Sequence, residues 1–155
     1  MKKISRTITE KIEEIVSSRI EEMTFIEVSK LAYTPALGDE KIIAASLQVY
    51  EPFQDEFGLA IERDLAFNIA SSLFSAQEKI IDEELVKDLT LEILNMLAGA
   101  VMATLLRNDM SFKLGIPIIS SRFPSETVGD SHHFNIEGNS LFFNTPSAQL
   151  FEELI

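Results

Sequence analysis

The feature that most constrains the fold is a long apolar segment, residues 88–106, whose spacing predicts a helix. At about 100° per residue, four of its residues share a stripe roughly 60° wide: Asp88, Glu92, Asn95 and Gly99. Almost all the rest is apolar or small. A helix that is apolar nearly all round is expected to be buried, and burying an unpaired charge is costly. The stripe must therefore reach water, find a partner inside the fold, or serve a function.

Two interpretations of this stripe remain open. A Glu and an Asn three residues apart are often one solvated edge of an amphipathic helix. The narrowness of the stripe favours a functional site instead, and so does Gly99. Glycine inside a helix costs roughly 1 kcal/mol relative to alanine. The close approach of another backbone to this face would offset that cost.

Composition predicts a soluble, cytoplasmic protein with one domain spanning residues 1–155. Apolar residues make up 46% of the chain, which argues against disorder. The net charge of −12 argues against nucleic acid and anionic membrane surfaces as partners. Without cysteine there is neither a disulfide nor a cysteine-based zinc site. No uninterrupted apolar run approaches the roughly 20 residues of a membrane span, and the polar start predicts no signal peptide.

The remaining periodicity predicts further helices and six strands. Helices are expected from a capping box at Thr7–Glu10, from Asp64, after the acidic residues 82–84, and from Pro146 to Leu154. Strands are expected at 25–33, 41–50, 57–62, 112–120, 132–137 and 140–144, with a loop at 122–130. Pro117 predicts that its strand lies at an edge or is bulged. Gly138-Asn139 predicts the turn of a hairpin.

In chain order these elements read helix, three strands, helix, and then the same again. The sequence therefore predicts an α+β, two-layer fold in which an antiparallel-rich sheet packs against long helices, with two pseudo-duplicated halves. In such a duplication Glu14 corresponds to Glu92. Ser17 would stand in the position of Asn95, and Glu21 in that of Gly99. The first half would keep the architecture without the polar stripe.

Two stretches carry a resemblance to a known family. The run Glu92-Ile-Leu-Asn95-Met-Leu-Ala-Gly99 and the later strand Leu114-Gly-Ile-Pro117-Ile-Ile119 resemble the signature of the chemotaxis phosphatases CheC and CheX. The likeness extends over about residues 5–145, and the single intact motif resembles CheX more closely. It implies a CheC/CheX-like fold. One departure is the segment 50–58, where family members often carry a glycine-rich turn.

The resemblance implies a phosphatase that acts on the phosphoaspartate of a CheY-like response-regulator receiver domain. Mg²⁺ would be supplied by the regulator, so this chain would bind no metal or other cofactor. Asn95 would orient the attacking water, and Glu92 would pair with a lysine of the regulator. Gly99 would let the partner come close, while Asp88 would be a rim contact or merely solvated. CheX-like proteins are also expected to form homodimers.

A histidine metal site and two non-catalytic functions are the alternatives to this interpretation. Adjacent residues on a strand point to opposite faces, so His132 and His133 cannot act together as metal ligands there. One alternative is a diverged member that binds a receiver domain without catalysis, as an interaction module similar to those of the flagellar switch. A third alternative is a dimerisation domain, whose subunits would pair through strand 112–120 or through the terminal hairpin.

Overall fold

The computed structural model describes residues 2–30, 38–77, 80–120 and 129–154 of the chain. Within these ranges it contains four α-helices, seven strands and two short 3₁₀ turns, Asp39–Lys41 and Ser75–Gln77. In chain order the helices and strands are α1 (Lys2–Thr24), β1 (Val28–Lys30), β2 (Ile42–Glu51), β3 (Asp55–Glu62), α2 (Arg63–Phe74), α3 (Glu83–Leu105), β4 (Lys113–Leu114), β5 (Ile118–Ser120), β6 (Asp130–Ile136), β7 (Asn139–Thr145) and α4 (Ala148–Glu152).

All seven strands belong to one antiparallel sheet, in the order β1-β6-β7-β3-β2, with β4 and β5 both paired to the outer side of β2. Strands β3 and β7 meet at the centre. Strand β3 belongs to the hairpin β2–β3, and β7 belongs to the hairpin β6–β7. Each hairpin is bordered on its outer side by a strand from the other half of the chain. This exchange confirms the α+β class and the pseudo-duplicated halves that the element order predicts.

One hydrophobic core joins the helices to one face of the sheet. Alternate strand residues, such as Leu59 and Ile61 of β3, pack in it with the buried sides of all four helices. A smaller cluster occupies the opposite face and consists of Ile42, Ala44, Ala60 and Phe142. Apolar residues recur at a period of two along the strands and near 3.6 along the helices, which places the side chains of the larger core in one layer between helices and sheet.

Helix α3 contributes most to this core. Ten of its residues are buried: Val86, Leu89, Thr90, Ile93, Leu94, Leu97, Ala98, Val101, Met102 and Leu105. By length and composition alone α3 is long and apolar enough to cross a membrane, although its sequence contains no uninterrupted apolar run of that length. Half of its most apolar window is buried within the fold, however, and a core helix passes the same test.

Four predicted boundaries were wrong, and two of them lie at the ends of α1. Helix α1 begins at Lys2, so the predicted capping box at Thr7–Glu10 lies inside the helix. The strand expected at 25–33 is reduced to β1, because Phe25 adopts a left-handed conformation (φ 60°) and its N–H donates to the Glu21 carbonyl as α1 ends. Residues 31–33 lie outside the described ranges.

The other two boundary errors concern the β6–β7 hairpin and the closing helix. The turn residues of the hairpin are Glu137 and Gly138, both with positive φ, and not Gly138 and Asn139. The Asn135 side chain accepts the Gly138 N–H at 3.0 Å, which favours this register. The closing helix also begins later than predicted: Ser147, which accepts the Gln149 N–H, caps α4. Of the predicted loop at 122–130, residues 122–128 lie outside the described ranges.

The predicted strand at 112–120 is an edge strand with a break, as Pro117 indicates. It forms β4 and β5, which pair with β2 on one side only. The terminal hairpin, by contrast, is not an exposed edge: β6 lies between β1 and β7, and β7 pairs with β3. Strand β7 is paired on both sides, and β6 is paired with β1 at residues 134–136, so among the described residues the β4–β5 edge is the more open of the two candidate edges.

We expect Leu94→Ala to lower the free energy of unfolding by about 2–5 kcal/mol, because Leu94 is 0% exposed and its truncation leaves a cavity in the core. The neighbouring Asn95→Ala, on the solvent side of the same helix, should change it by less than about 0.5 kcal/mol. Urea unfolding followed by circular dichroism measures both. Equal losses for the two variants would contradict this orientation of α3.

Candidate functional site

The site is built on α3, whose rotation is fixed by its buried side. The helix begins at an N-cap, Asp82, whose carboxylate accepts the Leu85 N–H at 2.9 Å. An ion pair between Arg63 and Glu83 ties the start of α2 to the start of α3. Since the apolar faces pack against the sheet and the other helices, the narrow polar stripe is left on the outside.

Asp88, Glu92 and Asn95 are all exposed, in successive turns of this outer face. Within the described part of the chain, none of the three side chains forms a hydrogen bond or an ion pair. The stripe thus reaches water rather than an internal partner. Two carboxylates and a carboxamide are free to bind a group that arrives from solvent, which is the arrangement that the site interpretation requires.

The three residues share a cleft of about 530 Å³ with the break in the edge strand. Along α3 the cleft is lined by Asp88, Leu91, Glu92 and Asn95, and on its other side by Gly115, Ile116 and Pro117. The lining residues Gly115 and Ile116 were not predicted from the sequence. The Gly-Ile-Pro sequence is a signal for an irregular strand, but nothing in it shows that the irregularity faces the stripe.

Gly99 lies one turn beyond this cleft and is not among its lining residues. It is half-buried, yet in the described part of the chain a Cβ built on it would meet no heavy atom within 4 Å apart from its two chain neighbours and the backbone of its own helix. Close packing inside the chain therefore does not explain a glycine here. The stripe is continuous on the helix surface, but the structure brings together only three of its four members.

The two histidines occupy opposite faces of β6, as predicted. His132 Nε2 lies 3.3 Å from Thr145 Oγ1, whereas His133 stacks on Phe142 and its Nε2 lies 3.0 Å from Ser140 Oγ. Both are buried. Their packing supports a structural role. Among the described residues, no group of three or more His, Asp or Glu side chains is arranged to hold a metal ion.

The corresponding face of α1 does not form a second site of this kind. Glu14 is exposed like Glu92, but Ser17 replaces the carboxamide. Glu21, in the position of Gly99, accepts the Val28 N–H at 2.9 Å and so helps to join α1 to β1. The first half thus keeps the architecture without the polar constellation.

The family is shown by a comparison with protein-family models. The model described as chemotaxis phosphatase CheX matches residues 43–136, more than half of the chain. This chain belongs to the CheX family. It is therefore a chemotaxis phosphatase, and the resemblance noted in the sequence is confirmed. None of the curated protein sequences is similar enough to count as a relative.

Solved structures of the CheX family and of related proteins have the same fold. Chemotaxis protein CheX from Vibrio vulnificus is 16% identical, with a TM-score of 0.67 over 88% of this chain and 96% of that one. The CheX–CheY–BeF₃–Mg²⁺ complex from Borrelia burgdorferi is 18% identical, with a TM-score of 0.64 over 88% and 94%. FliY from Thermotoga maritima is 16% identical, with a TM-score of 0.57 over 96% and 93%.

We expect Gly99→Ala to raise the free energy of unfolding by about 0.5–1 kcal/mol, because the added methyl group meets no neighbour and alanine favours the helix. A matched control is Gly138→Ala, which should lower it because residue 138 has φ 85°. Urea unfolding measures both changes. A destabilised Gly99→Ala would mean that this CheX-family protein packs α3 more tightly at residue 99 than the structure shows.

Proposed function

We propose that this protein hydrolyses the phosphoaspartate of a CheY-like receiver domain. The observation that carries the proposal is the exposure of Glu92 and Asn95, which have no partner among the described residues, on the core helix of a chemotaxis phosphatase. The substrate is supported by the Borrelia complex, in which a CheX is bound to CheY with BeF₃ and Mg²⁺. The resulting chemistry is the attack of water on an acyl phosphate.

Asn95 is the residue that positions the water. Its carboxamide has an oxygen that accepts a hydrogen bond and an NH₂ group that donates one, so it can hold a water molecule in line with the scissile P–O bond. The water oxygen bonds to phosphorus, the bond to the aspartate oxygen breaks, and the water gives up a proton. The products are inorganic phosphate and a free carboxylate. Hydrolysis of this kind depends mainly on positioning and electrostatics.

Glu92 fixes the docking of the regulator. One turn before Asn95 on the same face of α3, its carboxylate is available to pair with the lysine of the receiver domain. Asp88 extends the acidic face by another turn and serves as a rim contact. Mg²⁺ belongs to the regulator and offsets the negative charge of the phosphoryl group. The net charge of −12 does not steer the chain toward an acidic phosphorylated site, so local contacts at that site have to provide the affinity. We therefore expect binding to be weak without the phosphoryl group and Mg²⁺.

Gly99 fits this scheme as the point of closest backbone approach. Among the described residues, only the neighbouring part of α3 itself lies within 4 Å of a Cβ built at residue 99. A receiver domain docked along the stripe would use the space outside residue 99. The intramolecular cost of the glycine would then be offset only when the partner is bound.

A second candidate function is that of a binding-only module, and the fold shared with Thermotoga FliY favours keeping it. In that case the stripe is a docking surface and Asn95 contributes to affinity alone. The two functions differ in one measurable respect: whether the wild-type protein accelerates the loss of phosphate from the regulator it binds.

The first test is the release of phosphate from CheY-type receiver domains of the same organism, phosphorylated in the presence of Mg²⁺. We expect the protein to accelerate release, and Asn95→Ala to reduce kcat by about a hundredfold or more because the water loses its orienting group. Glu92→Ala should act mainly on KM. Thr104→Ala is a matched control, since Thr104 is exposed on the same helix but outside the cleft.

The outcomes separate the two functions. Acceleration that is lost in Asn95→Ala, with the fold intact by circular dichroism, supports the phosphatase and its site. Binding of a phosphorylated receiver domain without acceleration by the wild-type protein would support the binding-only module. If Asn95→Ala were as active as Thr104→Ala, the assignment of Asn95 would be wrong.

We also propose that the protein is a single-domain, cytoplasmic homodimer whose subunits pair through the β4–β5 edge. No described strand pairs with the outer side of this edge, and Ile118 on β5 is 60% exposed. Unpaired strand edges that carry apolar side chains are prone to pair with another chain.

Light scattering on the purified protein should give twice the mass of the chain. Ile118→Lys should give a monomer, because a charged side chain on the edge opposes strand pairing. Ser29→Lys is the control, since Ser29 lies on β1 at the opposite edge of the sheet. A wild-type monomer at micromolar concentration would contradict the dimer.

A further inference from the structure

The apolar wall of the cleft is a β-bulge. Leu114 pairs with Val49 and Ile118 with Ser46, so three residues, 115–117, face only two residues of β2, 47 and 48. A bulge of this kind interrupts the ladder and turns a side chain in a new direction, and bulges are common beside active sites. Pro117, which has no N–H to donate, is compatible with the interruption.

The bulge is held in place from both sides. The Gly115 N–H donates to the Gln48 carbonyl at 2.7 Å, and β4 and β5 anchor its two ends on β2. The Tyr50 ring packs against Gly115 so closely that a Cβ on residue 115 would lie 3.1 Å from Tyr50 Cε2. The position of the next residue, Ile116, is thus set by the sheet.

Ile116 is the most exposed part of this wall. Its exposed fraction is 85%, although it is β-branched and apolar and lines the same cleft as Glu92 and Asn95. A single exposed isoleucine needs no explanation in itself. What distinguishes Ile116 is its position: a group that enters the cleft from solvent to reach the carboxamide of Asn95 is flanked by this side chain.

We infer that Ile116 is the apolar contact that the receiver domain buries when it docks on the stripe, an inference that rests on the proposed function. The partner surface it fits carries an apolar group beside the basic group that pairs with Glu92. An ion pair exposed to water contributes little, and excluding water strengthens it. By excluding water beside the docked regulator, Ile116 supports the pairing of Glu92. It acts on binding and takes no part in the chemical step.

The test compares kcat and KM of Ile116→Ala with those of the wild-type protein, using the phosphorylated receiver domain and Mg²⁺. We expect KM to rise about tenfold, equivalent to about 1.4 kcal/mol of binding, with kcat unchanged within twofold. Ile116→Leu should restore most of the affinity because it keeps the apolar volume. Ile80→Ala is the matched control, since Ile80 is 81% exposed but lies outside the cleft.

Three results would overturn the inference. They are a KM for Ile116→Ala equal to that of Ile80→Ala, a loss confined to kcat, and a change in oligomeric state, which would assign Ile116 to contacts between subunits. The proposed function is judged separately, by the activity of the wild-type protein and of Asn95→Ala. If the wild-type protein were inactive, the Kd for the receiver domain loaded with BeF₃⁻ and Mg²⁺ would decide on Ile116, with the same tenfold expectation.

Discussion

The burial of α3 against the sheet is the constraint on which the site depends. Because ten of its residues are buried, the helix has only one rotation about its axis that keeps its charges in water. That rotation puts Asp88, Glu92 and Asn95 in a line on the outside. The same burial makes the backbone that carries them rigid. An exposed polar line on a rigid support suits a reaction that relies on the accurate positioning of a water molecule.

The second wall of the cleft depends on the exchange between the two halves of the sheet. Strands β4 and β5 leave their own half to pair with β2, which brings their bulge alongside α3. Without this exchange the helix would carry the polar stripe with no apolar wall beside it. At the opposite edge of the sheet, β1 pairs with β6 of the other half in the same way, but α1 carries a serine at the position of the carboxamide. The pseudo-duplicated architecture therefore supports one constellation of this type in the described residues.

The sequence predicted the elements with a strong period and missed those that depend on partners distant in the chain. Helix α3 and its stripe follow from residues 88–106 alone, and the exposure of the stripe follows from the cost of burying charge. The predicted hairpin turn was one residue too late in the chain, because Glu137 adopts positive φ and the Asn135 side chain accepts the Gly138 N–H. The bulge at 115–117 could not be predicted from the local sequence, because it depends on how these residues pair with residues 47 and 48 of β2. Pro117 indicated a break but not the direction of Ile116.

This division between core and surface also explains how the site can change without damage to the fold. Leu94 and Asn95 are adjacent in sequence, yet the first is fully buried and the second is exposed and forms no hydrogen bond with the residues that the structure describes. Substitution of the stripe therefore alters what the surface binds or catalyses while the packing of α3 persists. A common architecture can in this way carry a phosphatase site on one helix and a serine at the equivalent position of another. The core sets where a site can exist, and a few exposed residues determine whether it does.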